Sequence, residues 1–201
     1  MKAHQWISYA CFIFLIFSSC GETKTTSQTE QLGEVLTQSD GESQNSKTWL
    51  MRLMEKQPLS QEEYLEWVPA TLQGFPLQSK EPKPGLNGFI AFYSHKEGKE
   101  HPGLRLEVID GAGYNQFQHV NAVYKMLETV RNESGDDFRS EINDHKGERI
   151  LFVSKTRKGR KDFQLEYIQN QRYHVGILGN QVGPDKIYGA FDELQNNQFP
   201  N

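Results

Sequence analysis

LRLEVIDGAGYNQFQHVNAVYKMLE, residues 104–128, changes its period in the middle. Leu104, Leu106 and Val108 fall on one side of an extended segment, the two-residue repeat of a half-buried strand. After the corner Asp110-Gly-Ala-Gly113 the spacing turns helical, with Phe117, Val120, Tyr124 and Leu127 on one side and Val123 and Val130 widening that stripe. A helix over 114–131 is expected. The same order returns in HVGILGNQVGPDKIYGAFDELQ, residues 174–195. There Pro184 takes the first helical position, and Ile187, Tyr188, Phe191 and Leu194 face inward.

Between these two segments lie two hairpins. One pairs 137–144 with 148–156 through His145-Lys146-Gly147, and the other pairs 162–169 with 172–179 through Asn170-Gln171. Upstream, ATLQGFPLQSK reads as a bent strand interrupted by Gly74 and Pro76, and FIAFYSH (89–95) as a further strand. Two short helices come first. Trp49, Leu50, Leu53 and Met54 share a helical face and Pro58 ends that helix; Ser60 and Glu63 then form a capping box ahead of Tyr64, Leu65, Trp67 and Val68, and Pro69 stops the second. Consecutive strands with short turns pair antiparallel. The expectation is an α+β fold: an antiparallel sheet of about six to seven strands with helices on one face, and a degenerate β-β-β-α duplication in its two halves.

The amino-terminal segment has a different character. The apolar run from Trp6 to Phe17 is shorter than the roughly 20 residues that cross a bilayer. It fits the apolar region of a secretory signal, with Lys2 ahead of it and the small Ser18 and Ser19 before Cys20. An ordinary signal peptide cut elsewhere, or a buried apolar segment, would account for the same run. Residues 21–46 are rich in Ser, Thr, Gln, Glu and Gly and carry no aromatic residue, so they read as a flexible tether. The expected division is a signal at 1–19, a tether at 20–46 and one α+β domain at 47–201.

Phe17-Ser-Ser-Cys20 resembles the lipobox of bacterial lipoproteins of the Bacteroidota type, departing from the commonest pattern in having Phe17 where Leu is usual. The resemblance implies cleavage before Cys20, a diacylglycerol thioether on its sulfur and acylation, as with palmitate, of the new amino terminus. Gly21 stands where the inner-membrane retention signal has Asp, so the expected location is the cell envelope at the outer membrane. From Trp67-Val68-Pro69 and Gly74-Phe75-Pro76 through LRLEVIDGAG to NQRYHVGILG, the remaining chain is similar to small uncharacterised PsbP-like envelope lipoproteins. That similarity implies a fold and transfers no catalytic residue.

Only Cys11 and Cys20 are present, and the first lies in the segment to be removed. Lipidation of Cys20 leaves no thiol for a disulfide, a zinc site or a nucleophile. The net charge of −4 gives no attraction to nucleic acid or to an anionic lipid surface.

No catalytic, cofactor or metal residue is assigned, and no cofactor is expected. Asp110-Gly-Ala-Gly113 lacks the third glycine of a dinucleotide fingerprint and the Gly-Lys-Ser/Thr of a P-loop, so it reads as a tight turn. His95 and His101, with Glu97 or Glu100, offer at most a weak exposed metal site; His119 reads as a partly solvated helix residue, and His145 and His174 have no ligand spacing. Ser140 and Ser154 lie in strands without a triad order, and Asp136, Asp137, Glu141 and Asp144 crowd one region as a solvated face. KTRKGRK (155–161) reads as a charged hairpin turn, or as a contact for an acidic partner or lipid headgroup. Asn132-Glu-Ser134 matches a glycosylation pattern that has no meaning in such a setting. Trp49, Tyr64, Trp67, Phe75, Phe89, Phe92 and Tyr93 read as core packing, with an aromatic ligand groove as the alternative. Three functional classes stay open: a lipid-anchored, non-catalytic protein binding an envelope protein or a small apolar ligand; a small envelope hydrolase using carboxylates; and a structural subunit of an outer-membrane complex.

Overall fold

A glutamine-glycine pair decides how the sheet begins. Gln73 and Gly74 adopt positive φ values of 52° and 81°, which fold ATLQGFPLQSK into a hairpin rather than a bent strand. Its arms are β1 (Thr71–Leu72) and β2 (Phe75–Pro82), with Pro76 opposite Thr71. The sheet continues through β3 (Gly88–Ser94) and β4 (Gly103–Asp110), and later β5 (Glu133–Gly135), β6 (Phe138–His145), β7 (Glu148–Arg157), β8 (Arg160–Gln169) and β9 (Tyr173–Asn180). The helices are α1 (Gln44–Glu55), α2 (Gln61–Trp67), α3 (Phe117–Glu128) and α4 (Pro184–Asn196). This architecture comes from a computed structural model describing residues 44–98, 101–129, 132–157, 159–197 and 199–200, with side chains from Thr48 onward. The expected signal, Cys20 and nearly all of the expected tether lie outside the described residues.

The fold is α+β, and the nine strands among the described residues exceed the six to seven expected. The two additional strands are β1, created by the Gln73-Gly74 turn, and β5, whose three residues are all exposed and so leave no apolar alternation to read. Helix α1 begins at Gln44, inside the stretch read as tether, and α3 begins at Phe117 rather than 114. Helix α2 opens on the expected capping box, Ser60 taking the Glu63 amide and Glu63 taking the Ser60 amide.

Strand order is β1-β2-β3-β4-β9-β8-β7-β6-β5, antiparallel throughout, with four strands on one side of the β4–β9 seam and five on the other. One face of the central strands presents Leu106 and Val108 from β4, Val175 and Ile177 from β9, and Leu165 and Tyr167 from β8. Tyr64 of α2 and Ile187, Phe191 and Leu194 of α4 pack on it, and all of these are buried. The helices do not keep to that face. Helix α3 buries Phe117, Val120, Val123 and Leu127, and α1 buries Trp49, Leu50 and Leu53. His119 of α3 meets His174, whose strand position alternates with the core residues Tyr173 and Val175, so α3 covers the opposite face. Trp49 packs against Tyr124, ring centroids 4.8 Å apart, and fixes α1 beside it. The expectation of helices on one face is thereby corrected. Ile90 and Ile109, at alternate positions in β3 and β4, are also buried on that opposite face.

Candidate functional site

Helix α3 reaches only one end of its face, and beyond it the face turns polar. In the register of the sheet, Gly176 on β9 lies between Glu107 on β4 and Glu166 on β8. The two carboxylate-bearing residues are therefore two strand spacings apart, about 10 Å between Cα atoms, on the same face. Glu107 is held by Lys83, from the β2–β3 turn, and by Arg105 Nη2 at 2.6 Å. Glu166 accepts from Gln164, and its Oε2 faces His174 Nε2 at 3.4 Å, an ion-pair distance without hydrogen-bond alignment. The far nitrogen of that ring, Nδ1, lies 2.9 Å from His119 Nε2.

The electrostatics follow from this crowding. Burial pushes the Glu166 carboxyl up, but the facing His174, with Gln164 and His119, outweighs burial and holds it below the usual carboxylate range. Burial, then His174 and Lys83, hold the His119 imidazole below its usual value against the pull of Glu107 and Glu166. Arg105 Nε is buried without a partner. Its guanidinium lies 5.9 Å from the Phe92 ring.

Gly176 has no reason of its own to be glycine. Its φ is not positive, and a β-carbon built there would come no nearer than 3.9 Å to any other residue, namely Glu107 Cβ. The other glycines in the central strands differ. At Gly179 a β-carbon would meet Val182 Cγ2 at 2.6 Å and Ile187 Cδ1 at 2.7 Å, and at Gly88 and Gly103 it would strike backbone of the neighbouring strand. A glycine in a strand interior weakens the strand and often marks close approach of a ligand or another backbone. Gly176 is nonetheless buried, flanked across the sheet by Glu107 and Glu166 with His174 and His119 toward one end.

A second polar group is a closed structural knot. The buried Asp110 carboxylate accepts from Arg172 Nε (2.8 Å) and Nη2 (2.7 Å), Tyr64 Oη (2.8 Å), and the amides of Ala112 (2.9 Å) and Leu59 (3.3 Å). The glycine corner spends its amides inside the fold: Gly111 N donates to Arg172 O, Ala112 N to Asp110 and Gly113 N to Leu53 O. None of those amides is left for a phosphate. Next to the knot, a cleft of about 180 Å³ runs between α1 and the Asn170–Arg172 turn, with Trp49, Arg52 and Lys56 along it.

The residues singled out from sequence are mostly scattered. His95 packs on Phe75, and His145 sits between Tyr188 and Phe191 within 3.4 Å of Asp192. Glu141 pairs with Arg139, and Asp144 with Arg149 at 3.8 Å, so these carboxylates do not converge. Ser154 is buried in β7. The basic hairpin has Asp162 beside Arg160 at 3.1 Å and Lys161 over the Phe163 ring. The aromatics Trp49, Tyr64, Phe75, Phe89 and Tyr93 are buried in packing, while Trp67 and Phe92 are half-buried. His119 and His174, read separately from sequence, are brought together at this cluster; Lys83, Arg105, Glu107, Gln164, Glu166 and Gly176 were missed. The legible signal was a pair of acids, Glu107 and Glu166, each alternating with apolar residues in a strand. Among the described residues no group of three or more His, Cys, Asp or Glu is placed to hold a metal, and no helix is long and apolar enough to cross a membrane.

No family model, curated protein or solved structure matches the chain.

Proposed function

We propose that this chain is a lipid-anchored protein of the bacterial cell envelope, tethered through Cys20 to the outer membrane, whose domain has a non-catalytic binding role. The anchor rests on the apolar run ending in Phe17-Ser-Ser-Cys20 and the polar stretch that follows. A single lipid chain binds a membrane only marginally, so stable anchoring needs the several acyl chains that lipoprotein processing supplies. The PsbP-like resemblance and the β-β-β-α duplication belong to the same reading. The order of the strands, with a helix following β4 and another following β9, supports a duplication, while the placement of α3 and α4 on opposite faces departs from it.

The observation that carries the binding role is the cluster of half-buried polar side chains, Lys83, Arg105, Glu107, Gln164 and Glu166, gathered around Gly176 on the face that α3 only partly covers. These side chains favour a hydrogen-bonding ligand, or a polar segment of an envelope partner, over the apolar ligand considered from sequence. The test is affinity purification of the lipidated protein from membranes beside its Gly176→Val variant. A component retained by the native protein and lost by the variant is expected. Identical recovery from both, or nothing recovered with either, overturns the reading. For the anchor, Cys20→Ser is expected to leave an uncleaved or unlipidated form; unchanged mass and unchanged detergent partitioning would contradict it.

A further inference from the structure

We propose that the cleft between α1 and the Asn170–Arg172 turn binds a phosphate monoester, the dianionic head of a small molecule or of a lipid. The cleft shares no residue with the polar cluster around Gly176 and stands independently of it. Charge is the first ground. Arg52, in the last turn of α1, and Lys56, just past its end, both line the cleft. The Lys56 amide still donates to the Arg52 carbonyl at 3.2 Å, so the helical turn continues and keeps the two cations on one side of it. Among the described residues neither side chain has an ion pair or a hydrogen bond, and no Asp or Glu lines the cleft. Two like charges therefore face one space with nothing to neutralise them, and an anion placed between them relieves their repulsion.

The donors are the second ground. Arg172 lines the cleft although its side chain is only 5% exposed. Its Nε and Nη2 are spent on Asp110, and Nη2 also on the Gln57 carbonyl, so Nη1 keeps two N–H donors with no partner in the fold. Asp110 balances its charge, and Arg172 supplies hydrogen bonds while Arg52 and Lys56 supply the net positive charge. Asn170 Oδ1 accepts from Gln169 Nε2 at 3.2 Å, which leaves its Nδ2 as a further donor on the turn. A ligand for such a lining must accept, and must accept from both walls. A carboxylate offers two oxygens in one plane, which a single Arg fork already satisfies. A phosphate monoester offers three terminal oxygens in different directions and carries a charge of about −1.5 to −2, which suits donors from both walls and the two free cations.

The third ground is that the walls are tied together without a ligand. Trp49 Nε1 donates to the Gln171 carbonyl and joins α1 to the turn. Arg172 Nη2 holds Gln57 at 3.2 Å, and the Gly113 amide holds the Leu53 carbonyl at 3.1 Å. Binding then has little to order beyond the exposed side chains of Arg52 and Lys56. The volume of about 180 Å³ is below the roughly 300–1,000 Å³ of pockets that enclose a drug-sized molecule. It fits a head group and leaves the rest of the ligand outside.

The test uses the full chain in detergent, titrated with inorganic phosphate, with glycerol phosphate, and with micelles of the same detergent carrying phosphatidic acid. Succinate and glycerol are the comparators, and calorimetry and phosphorus NMR report binding. The expected result is binding of glycerol phosphate or of the phosphatidic acid micelles, weakened at least about tenfold by Arg52→Gln combined with Lys56→Gln, with neither comparator competing. Both positions are exposed, so the double variant should keep its urea midpoint, and Lys161→Gln in β8 controls for the loss of a charge alone. Saturation by soluble glycerol phosphate supports the site as one for a small phosphate, and binding confined to the doped micelles supports it as one for a lipid headgroup. Succinate bound as tightly as the phosphates overturns the phosphate assignment. Phosphate binding unchanged by the double variant, or weakened equally by Lys161→Gln, overturns the site. Absence of binding by every probe overturns the proposal, and the membrane purification with Gly176→Val still judges the binding role above on its own.

Discussion

Asp110 and Arg172, 62 residues apart in the chain, form a two-pronged ion pair with Nε–Oδ1 2.8 Å and Nη2–Oδ2 2.7 Å. The pair closes the end of the β4–β9 seam. It also holds the chain between α1 and α2, because Leu59 N donates to Asp110 and Arg172 Nη2 donates to Gln57 O at 3.2 Å. Tyr64 Oη brings α2 into the same knot, and burial, with Asp110 beside it, pushes that phenol well above the usual tyrosine range.

Removing one partner leaves the other charged and buried, so Asp110→Ala is expected to destabilise the fold by about 3–5 kcal/mol. Replacing both residues with apolar ones, Asp110→Leu with Arg172→Met, should recover much of that loss. Urea unfolding of the three proteins checks it. If the double replacement is as unstable as the single one, the pair is fixing the seam by geometry and not merely by cancelling charge.

How much of this was legible in the chain depends on the range of the interaction. The Ser60–Glu63 capping box, the alternation of Leu104, Leu106 and Val108, and the Pro184 helix start are local, and each element lies where the pattern put it. Asn170 and Gln171 form the expected turn, both at φ 53°. The candidate site was not legible, because it depends on the pairing of β4 with β9, strands separated by a helix and four other strands. Alternation says that Glu107 and Glu166 leave the core side; it does not say that they flank the same glycine. The division of helices between the faces was hidden for a similar reason. The buried Ile90 and Ile109 form an apolar surface only when their strands lie side by side.

Phe191 of α4 is fully buried and meets Tyr167 edge-on, ring centroids 4.7 Å apart. Phe191→Ala is expected to cost about 3–5 kcal/mol, from lost burial and the cavity left behind. Phe191→Leu should recover more than half of that. The measurement is again urea unfolding, and a cost below about 1 kcal/mol for the Ala variant would mean that α4 is not clamped to the sheet at this point.

His119 sets a pH dependence. Burial and the neighbouring His174 and Lys83 hold His119 below its ordinary value, against Glu107 and Glu166, which face the same ring. The unfolded chain takes up a proton near the ordinary imidazole value of about 6.5, and the folded ring only at lower pH. Between those values the unfolded state binds more protons, so stability falls as pH drops through that window and levels off below the folded value. Urea midpoints measured from about pH 7.5 to pH 5 should show this decline, and His119→Asn should flatten it. An equal slope in both proteins would place the titrating group elsewhere.

Two glycines on the same side of the molecule make the sharpest contrast. At Gly111 a β-carbon would lie 2.9 Å from Val120 Cβ and 3.0 Å from the Arg172 carbonyl oxygen, where neither the buried helix residue nor the backbone can yield cheaply. Gly111→Ala is therefore expected to destabilise by about 1–3 kcal/mol. At Gly176 the nearest atom is 3.9 Å away, an ordinary contact, and the added methyl restricts the unfolded chain. Gly176→Ala should leave stability unchanged or raise it by about 0.4–1 kcal/mol. Thermal and urea unfolding of the two variants decide the matter. A destabilised Gly176→Ala would mean that the packing of this chain itself requires the glycine.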